Sequence, residues 1–197
     1  DAMELLNSND YAETFPYYAD LISRGQLVTP VGVSDSHTIT SGDPGLNLTF
    51  LHTGGDLASF DNDALTAAFK ARATVVSHGP YIDATLNDVW APGSVVSGGT
   101  LAIRVLAPSW LPVESVHLWR DGTDIAQSPC IGAAPLWCET SFELPTDADA
   151  SYVVTADSAT PMTQVWPGQL GWAATSAVLV DVAGDGWTPP KPARIVE

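Results

Sequence analysis

Residues 1–80 alternate between short apolar runs and helix-like patterns. Apolar residues at helical spacing predict one helix over residues 11–24 and a second over residues 63–72, behind a capping residue, Asp61 or Asn62. Gly25 is a typical helix terminator, and Pro16 predicts that the regular part of the first helix starts only there. Buried strands are predicted over residues 1–7, 28–33, 46–51 and 74–77. This order of strands and helices predicts an α/β layer.

From about Gly79 the pattern changes to short alternating runs with no convincing helix. The runs cover residues 82–86, 101–106, 115–119, 141–144, 152–156 and 174–182. Turn-forming residues separate them, and Asp121-Gly122, between Trp119 and Ile125, is a strong hairpin signal. This pattern predicts an antiparallel β-sandwich. The sequence therefore divides into an α/β unit, a sandwich and a proline-rich tail that forms a surface strap, over residues 1–80, 81–187 and 188–197.

The charge of the chain argues against several function classes. Of 197 residues, 23 are Asp or Glu and seven are Lys or Arg, which gives a net charge of -16. Such a charge repels phosphate backbones and anionic lipids, so we expect neither nucleic acid nor a membrane surface as a partner. No apolar run approaches the ~20 residues of a membrane span. The apolar fraction of 45% indicates a globular protein.

Two features of the sequence concern its cellular context. The chain begins at Asp1, inside a predicted strand, without an initiator methionine or a leader. We expect that an upstream segment was removed or was never included. Cys130 and Cys138 flank a short stretch rich in glycine and proline, which predicts a loop-closing disulfide, with two free buried thiols as the alternative. An acidic, lysine-poor chain with a disulfide favours a bacterial protein exported to the periplasm or the extracellular space.

The tripeptide Asp35-Ser36-His37 is the strongest chemical signal, and it follows a predicted strand directly. Alternate residues of an extended segment point the same way, so the Asp35 carboxylate and the His37 imidazole are expected to aim at one cation. This pair of ligands suits Zn, Mn or Fe more than Ca. The alternative is a turn aspartate beside a histidine whose ring bonds to the backbone.

Other histidines are weaker candidates. His52 follows the next strand, and it either reaches the same end of the sheet or is a surface loop residue. His78 lies where the α/β part meets the sandwich, and it is either an active-site residue or a histidine packed at the boundary between domains. His117 falls within a sandwich strand beside Trp119, which favours a structural role.

Together these stretches resemble the carboxy-terminal part of a PHP-domain metallohydrolase, and more closely its exported, esterase-like CehA/McbA-like branch. The most specific match is the Ser-Asp-Ser-His sequence within residues 31–38. The supporting matches are residues 1–7, 21–25, 64–72, 77–80, 116–122 and 180–186.

The resemblance implies a fold of α/β plus all-β class: the last strands and helices of a distorted PHP-like (β/α)7 barrel, followed by an antiparallel β-sandwich. It also implies hydrolysis of phosphoesters or related esters by a metal-bound hydroxide. Asp35 and His37 would be metal ligands, and His78 would be a catalytic candidate. Family members carry an amino-terminal His-x-His motif that these residues lack. We therefore expect the remaining ligands in an amino-terminal segment of the same protein, and an inactive chain without it.

A second hypothesis is an exported, non-catalytic β-sandwich module that binds a partner, with carbohydrate as one option. Seven Trp and five Tyr residues would support sugar stacking, although aromatic side chains in sandwiches more often lie in the core. Exposure of Trp166, Trp172 or Trp187, and above all a coplanar exposed pair, would favour this module. A metal bound at Asp35 would favour the hydrolase.

Overall fold

The computed structural model describes residues 1–7, 11–37, 45–55, 58 and 60–193. These residues are mostly β-sheet, with two helices among them, α1 Tyr11–Ser23 and α2 Asn62–Lys70. The strands are β1 Ala2–Asn7, β2 Thr29–Val33, β3 Leu48–Leu51, β4 Thr74–His78, β5 Tyr81–Leu86, β6 Val89–Trp90, β7 Val95–Val96, β8 Gly99–Leu106, β9 Ser115–Arg120, β10 Thr123–Pro129, β11 Leu136–Leu144, β12 Ala150–Asp157, β13 Trp172–Thr175 and β14 Val178–Val180. The predominance of strands agrees with the predicted class.

Two sheets form a sandwich. Within the described residues, the larger sheet has the order β10-β9-β12-β13-β4-β3, with β14 pairing with β12 and β7, and the smaller has the order β11-β8-β5-β6. Along β8, buried Leu101, Ile103 and Val105 alternate with exposed Ala102 and Arg104. Side chains from both sheets meet in one hydrophobic core, because each strand turns every second residue inward.

The larger sheet contains strands that precede residue 80 in the sequence and strands that follow it. β4 pairs antiparallel with β13, and β3 pairs antiparallel with β4. The sequence pattern predicts both strands as part of the α/β unit over residues 1–80. That division stays a prediction about domains, but hydrogen bonding in the sheet runs across it.

The α/β unit itself is a β1-α1-β2 segment in which β1 and β2 pair in parallel. α1 packs on the face of the large sheet that points away from the small sheet. Phe15, Tyr18 and Ile22 of the helix form a second core there. The sheet contributes Trp172 and Ala174 to this core. β12 is consequently buried on both faces, which explains its almost continuous run of buried residues.

β2 lies close against β3. The hydroxyl of Thr49 accepts a hydrogen bond from the Gly32 N–H at 2.9 Å and donates to the Gly32 carbonyl at 3.1 Å. A β-carbon at Gly32 would lie 2.6 Å from the Leu48 carbonyl oxygen, so only glycine allows this approach. These contacts fix the end of β2, from which Asp35 and His37 follow.

The first helix begins earlier than its sequence predicts. α1 starts at Tyr11, so the prediction that its regular part begins at Pro16 is wrong. The proline ring removes the hydrogen bond to the carbonyl of Ala12, an exposed residue on the first turn. The predicted terminator is confirmed. Gly25 has φ 82°, its N–H donates to the Ile22 carbonyl at 2.8 Å, and the Gln26 N–H donates to the Leu21 carbonyl at 3.0 Å.

Two other local signals are confirmed. The Asp61 carboxylate caps α2 by accepting a hydrogen bond from the Ala64 N–H at 2.8 Å. Asp121 and Gly122, with φ angles of 52° and 85°, form the two-residue turn between β9 and β10. Strand β10 had no sequence prediction of its own beyond this turn.

Cys130 and Cys138 form a disulfide, as predicted. It links the residue after β10 to β11, and so connects the large sheet to the small one. Among the described residues, no helix combines the length and the apolar character needed to cross a lipid bilayer.

The proline-rich tail lies against the carboxyl end of α1. The Lys191 N–H donates to the Ser23 carbonyl at 2.9 Å, and the Arg24 guanidinium donates to the Pro192 carbonyl at 2.9 Å. The Lys191 ammonium also approaches Asp20 at 3.3 Å. Residues 194–197 of the predicted strap lie outside the described residues.

The segment before this tail is held by aspartates. The Asp149 carboxylate accepts hydrogen bonds from the Val182 N–H at 2.9 Å and the Thr188 N–H at 2.7 Å, and these bonds lower its pKa. Asp181 accepts from the Gly184 and Gly186 N–H groups in the same way. The Gly184-Asp185-Gly186 segment is therefore organised as a turn.

We expect acid to loosen residues 182–188. A carboxylate whose pKa is lowered by folding stabilises the fold above its unfolded pKa of about 3.9, and that contribution is lost as the pH falls through the folded value. Hydrogen-exchange protection of the Val182 and Thr188 amides should therefore fall as the pH drops below about 4. Asp149→Asn keeps an acceptor oxygen without the charge, and should remove most of this pH dependence. Equal pH dependence in both proteins would contradict the assignment to Asp149.

Candidate functional site

Asp35 and His37 share one exposed position beyond the carboxyl end of β2. The His37 Nε2 atom lies 3.7 Å from Asp35 Oδ1, and the two side chains are 76% and 55% exposed, respectively. Asp35 has φ 49°, the left-handed conformation that aspartate adopts more readily than most residues. The turn at Asp35, rather than a continued strand, brings the two side chains together.

The orientation of the His37 ring is set by the backbone. Its Nδ1 atom lies 2.7 Å from the Asp35 carbonyl oxygen. A carbonyl can only accept, so Nδ1 carries the proton and Nε2 has the free lone pair in the neutral ring. Histidines that bind metals usually donate their second N–H to a carbonyl or a carboxylate in this manner.

The two donor atoms fit one ion. Zn–N and Zn–O bonds are each about 2.0–2.2 Å long, so a single ion can touch both atoms only if they lie within about 4.3 Å. The observed 3.7 Å satisfies this condition. No group of three or more His, Cys, Asp or Glu side chains with metal-binding geometry occurs within the described residues. A complete site would need donors beyond this pair.

His78 differs from this pair in being buried, whereas Asp35 and His37 are exposed. It is fully buried in β4, its Cα pairs with that of Trp172 in β13, and its ring meets the Trp166 ring edge-on at 6.2 Å. It does not join Asp35 and His37 in a three-ligand group within the described part of the chain. Its predicted catalytic role stays a prediction. His52 stacks on Trp90, with ring centroids 4.6 Å apart and planes 5° apart.

The tryptophans singled out by the sequence are not exposed platforms. Trp172 is 4% exposed, and Trp166 and Trp187 are half-buried. The Trp187 indole donates to the Ala150 carbonyl at 3.1 Å. The coplanar exposed pair that would favour a carbohydrate module is therefore not formed by these three residues.

A polar cluster that the sequence did not indicate surrounds His117. Its Nδ1 lies 2.7 Å from Asp124 Oδ2, and its Nε2 lies 3.1 Å from Asp157 Oδ2. The Ser115 hydroxyl donates to the same Asp157 oxygen at 2.8 Å. Both ring nitrogens thus face carboxylates, and the His117 Nε2 atom also lies 3.2 Å from the Ser115 hydroxyl oxygen. Because the hydroxyl of Ser115 donates to Asp157, the four side chains form one hydrogen-bonded network. The register of β9 with β10 and β12 assembles the cluster.

Beside this cluster lies a cavity between α1 and the large sheet, which we call the aromatic groove. Its volume is about 220 Å³. Its lining includes Tyr11, Phe15, Trp119, Thr155, Asp157 and Trp172. The first two come from the helix and the others from three neighbouring strands. The only sequence signal was the alternation of side chains along β9 and β12, and that alternation does not reveal which strands become neighbours.

Comparison of the chain with protein-family models, with characterised proteins and with solved structures finds no match.

Proposed function

We propose that this chain is part of a metal-dependent hydrolase of phosphoesters or related esters, in which Asp35 and His37 are metal ligands. The single observation that carries the proposal is the fixed His37 ring. Its Nδ1 is engaged by the Asp35 carbonyl, and its Nε2 lies 3.7 Å from the carboxylate of the same residue. Carboxylate and imidazole together suit Zn, Mn or Fe.

The β1-α1-β2 segment supports the proposal. Parallel strands joined by a helix are the repeating unit of (β/α) barrels, and barrel chemistry is found at the carboxyl ends of the strands. Asp35 and His37 follow the carboxyl end of β2. Among the described residues the parallel sheet has only the strands β1 and β2, and such a small parallel sheet favours further strands beside β1, as a PHP-like barrel would supply. On this proposal, an amino-terminal segment of the same protein brings both the strands and the remaining ligands.

In this proposal the metal ion, Asp35 and His37 have separate roles. A divalent ion, when bound, polarises the ester and provides a nucleophile from water at neutral pH. Asp35 contributes negative charge that favours the cation, and His37 contributes a lone pair oriented by the backbone. The high exposure of both side chains leaves room for a small ester substrate. The Cys130–Cys138 disulfide is compatible with export, which we propose as the cellular context.

The test replaces Asp35 or His37 by alanine in the natural full-length polypeptide. Each variant should bind at least tenfold less metal by elemental analysis. Loss of a residue that only supports a metal ligand already lowers metal affinity by about 10–100-fold, and loss of a ligand itself should lower it at least as much. Hydrolysis of p-nitrophenyl phosphate and p-nitrophenyl acetate should fall in parallel.

Asp185→Ala is the matched control, because Asp185 is an exposed aspartate in a turn remote in sequence from β2. It should retain the metal content and hydrolysis of the parent. Unchanged metal content in both the Asp35 and the His37 variants would refute the proposed ligand pair, whatever the activity.

A further inference from the structure

The aromatic groove is independent of the Asp35–His37 pair and has its own chemistry. Trp119 on β9 and Trp172 on β13 point to the same face of the large sheet as Asp157. Asp157 pairs directly with Trp172, and Trp119 pairs with the β12 residue four positions before Asp157, which lies on the same face because side chains alternate along a strand. α1 covers part of this face and leaves the cavity of about 220 Å³. This volume is below the range of about 300–1,000 Å³ for drug-sized ligands, so the occupant must be small.

The aromatic rings of the groove are held in fixed positions. Tyr11 stacks on Trp172 with centroids 4.7 Å apart, and Phe15 meets Trp119 edge-on at 5.0 Å. The Trp119 indole N–H donates to the Thr155 hydroxyl at 2.9 Å, which fixes the plane of its ring. Rings that are already ordered lose little conformational entropy when a ligand binds.

The charge beside these rings is negative. Both contacts to Asp157 from His117 and Ser115 end on Oδ2. The other oxygen, Oδ1, accepts no hydrogen bond from any described residue. Asp124 contacts the other ring nitrogen of His117. The net charge of Asp124, His117 and Asp157 together is -1 if the imidazole is protonated and -2 if it is neutral. No described residue that lines the groove is Lys or Arg.

Two further observations agree with a negative field in the groove. The pKa of the Tyr11 phenol is raised, first by burial and second by the charge of Asp157. The nearest arginine along β9 is Arg120, which points to the opposite face of the sheet from Trp119. Its guanidinium pairs with the Asp147 carboxylate at 2.8 Å. The net charge of -16 adds a long-range attraction for cations.

We propose that the aromatic groove binds a small organic cation of the methylated-ammonium class, with the cation against the aromatic rings and beside the Asp157 carboxylate. Ordered aromatic rings are the feature by which proteins recognise quaternary ammonium groups, and a carboxylate with one oxygen outside the hydrogen-bonded network adds attraction for the positive charge. A neutral sugar would also use the rings, but it would gain nothing from the charge of the site.

The test measures binding of choline to the protein by calorimetry at constant ionic strength. The comparison ligand is 3,3-dimethylbutan-1-ol, which has the shape of choline without the charge. Choline should bind about tenfold more tightly than the neutral alcohol, since cation–π attraction and the carboxylate act only on the cation. Asp157→Asn should reduce this difference to the part that cation–π attraction supplies, while leaving the alcohol's affinity unchanged.

Asp124→Asn is the matched control, because Asp124 touches the other nitrogen of His117 and does not line the groove. It should keep the preference for choline. Circular dichroism of each variant verifies folding, and the two-ligand comparison on the unmodified protein needs no variant at all. Equal affinity for both ligands, no choline binding at 50 mM, or tighter binding of methyl β-glucoside than of choline would each overturn the proposal. The last result would favour a carbohydrate module instead.

Discussion

Trp172→Ala should lower the free energy of unfolding by about 3–5 kcal/mol, the usual cost of truncating a buried Trp. Trp172 is 4% exposed and lies in the core between α1 and the large sheet. Its ring stacks on Tyr11 and meets Phe15 edge-on at 5.8 Å, so the substitution removes contacts to the helix at two positions. Urea denaturation monitored by circular dichroism measures the change.

Phe60→Ala provides the comparison for this substitution. Phe60 is 48% exposed and belongs to neither hydrophobic core, so its truncation should change the free energy of unfolding by less than about 1 kcal/mol. A loss below about 1 kcal/mol for Trp172→Ala would mean that α1 does not depend on this residue for its attachment to the sheet.

Removal of the Cys130–Cys138 disulfide should lower the free energy of unfolding by about 2–3 kcal/mol. The bond closes a short loop, with a sequence separation of eight residues, and a loop of this length restricts the unfolded chain by about that amount in the chain-entropy account. The double substitution to alanine is preferable to serine, because Cys138 is only 3% exposed and a buried hydroxyl would add a separate cost.

Dithiothreitol supplies the internal comparison for the disulfide. It should lower the urea midpoint of the parent protein to about that of the double-alanine variant, and should leave the variant unchanged. If the reductant does not move the midpoint of the parent, the bond contributes nothing to stability, or is not formed in solution.

Local signals in the sequence predicted much of the secondary structure. The Asp61 cap, the Gly25 terminator and the Asp121-Gly122 turn each depend on a conformational preference of one or two residues, and all three are found. The alternation along β8 predicted its buried face. Such features need no knowledge of distant partners.

Non-local pairing could not be predicted in the same way. The pattern over residues 174–182 predicts one strand, yet this run contains the end of β13 and all of β14. Both pair with β12, but β13 has β4 as its second partner and β14 has β7. An apolar run that is buried on both faces contains no sequence signal for the position at which one strand ends and the next, with other neighbouring strands, begins. The same reason applies to β4, which is buried along its whole length and was not predicted to join the sandwich.

The two candidate sites differ in the same respect. The Asp35–His37 pair comes from two residues separated by one position, so the sequence alone was enough to propose it. The groove joins α1 to β9, β12 and β13, and the charge cluster beside it needs Asp124 and Asp157 from two strands that flank His117. Only the register of the sheet brings these groups together.

The position of β4 between β3 and β13 limits where recombination can divide this protein. A recombination event near residue 80 would separate strands that share a ladder of backbone hydrogen bonds, and would leave the N–H and C=O groups of β13 without their partners on one side. Shuffling of the sandwich as an independent cassette is therefore disfavoured, and its evolutionary history should be tied to that of the segment that carries Asp35 and His37.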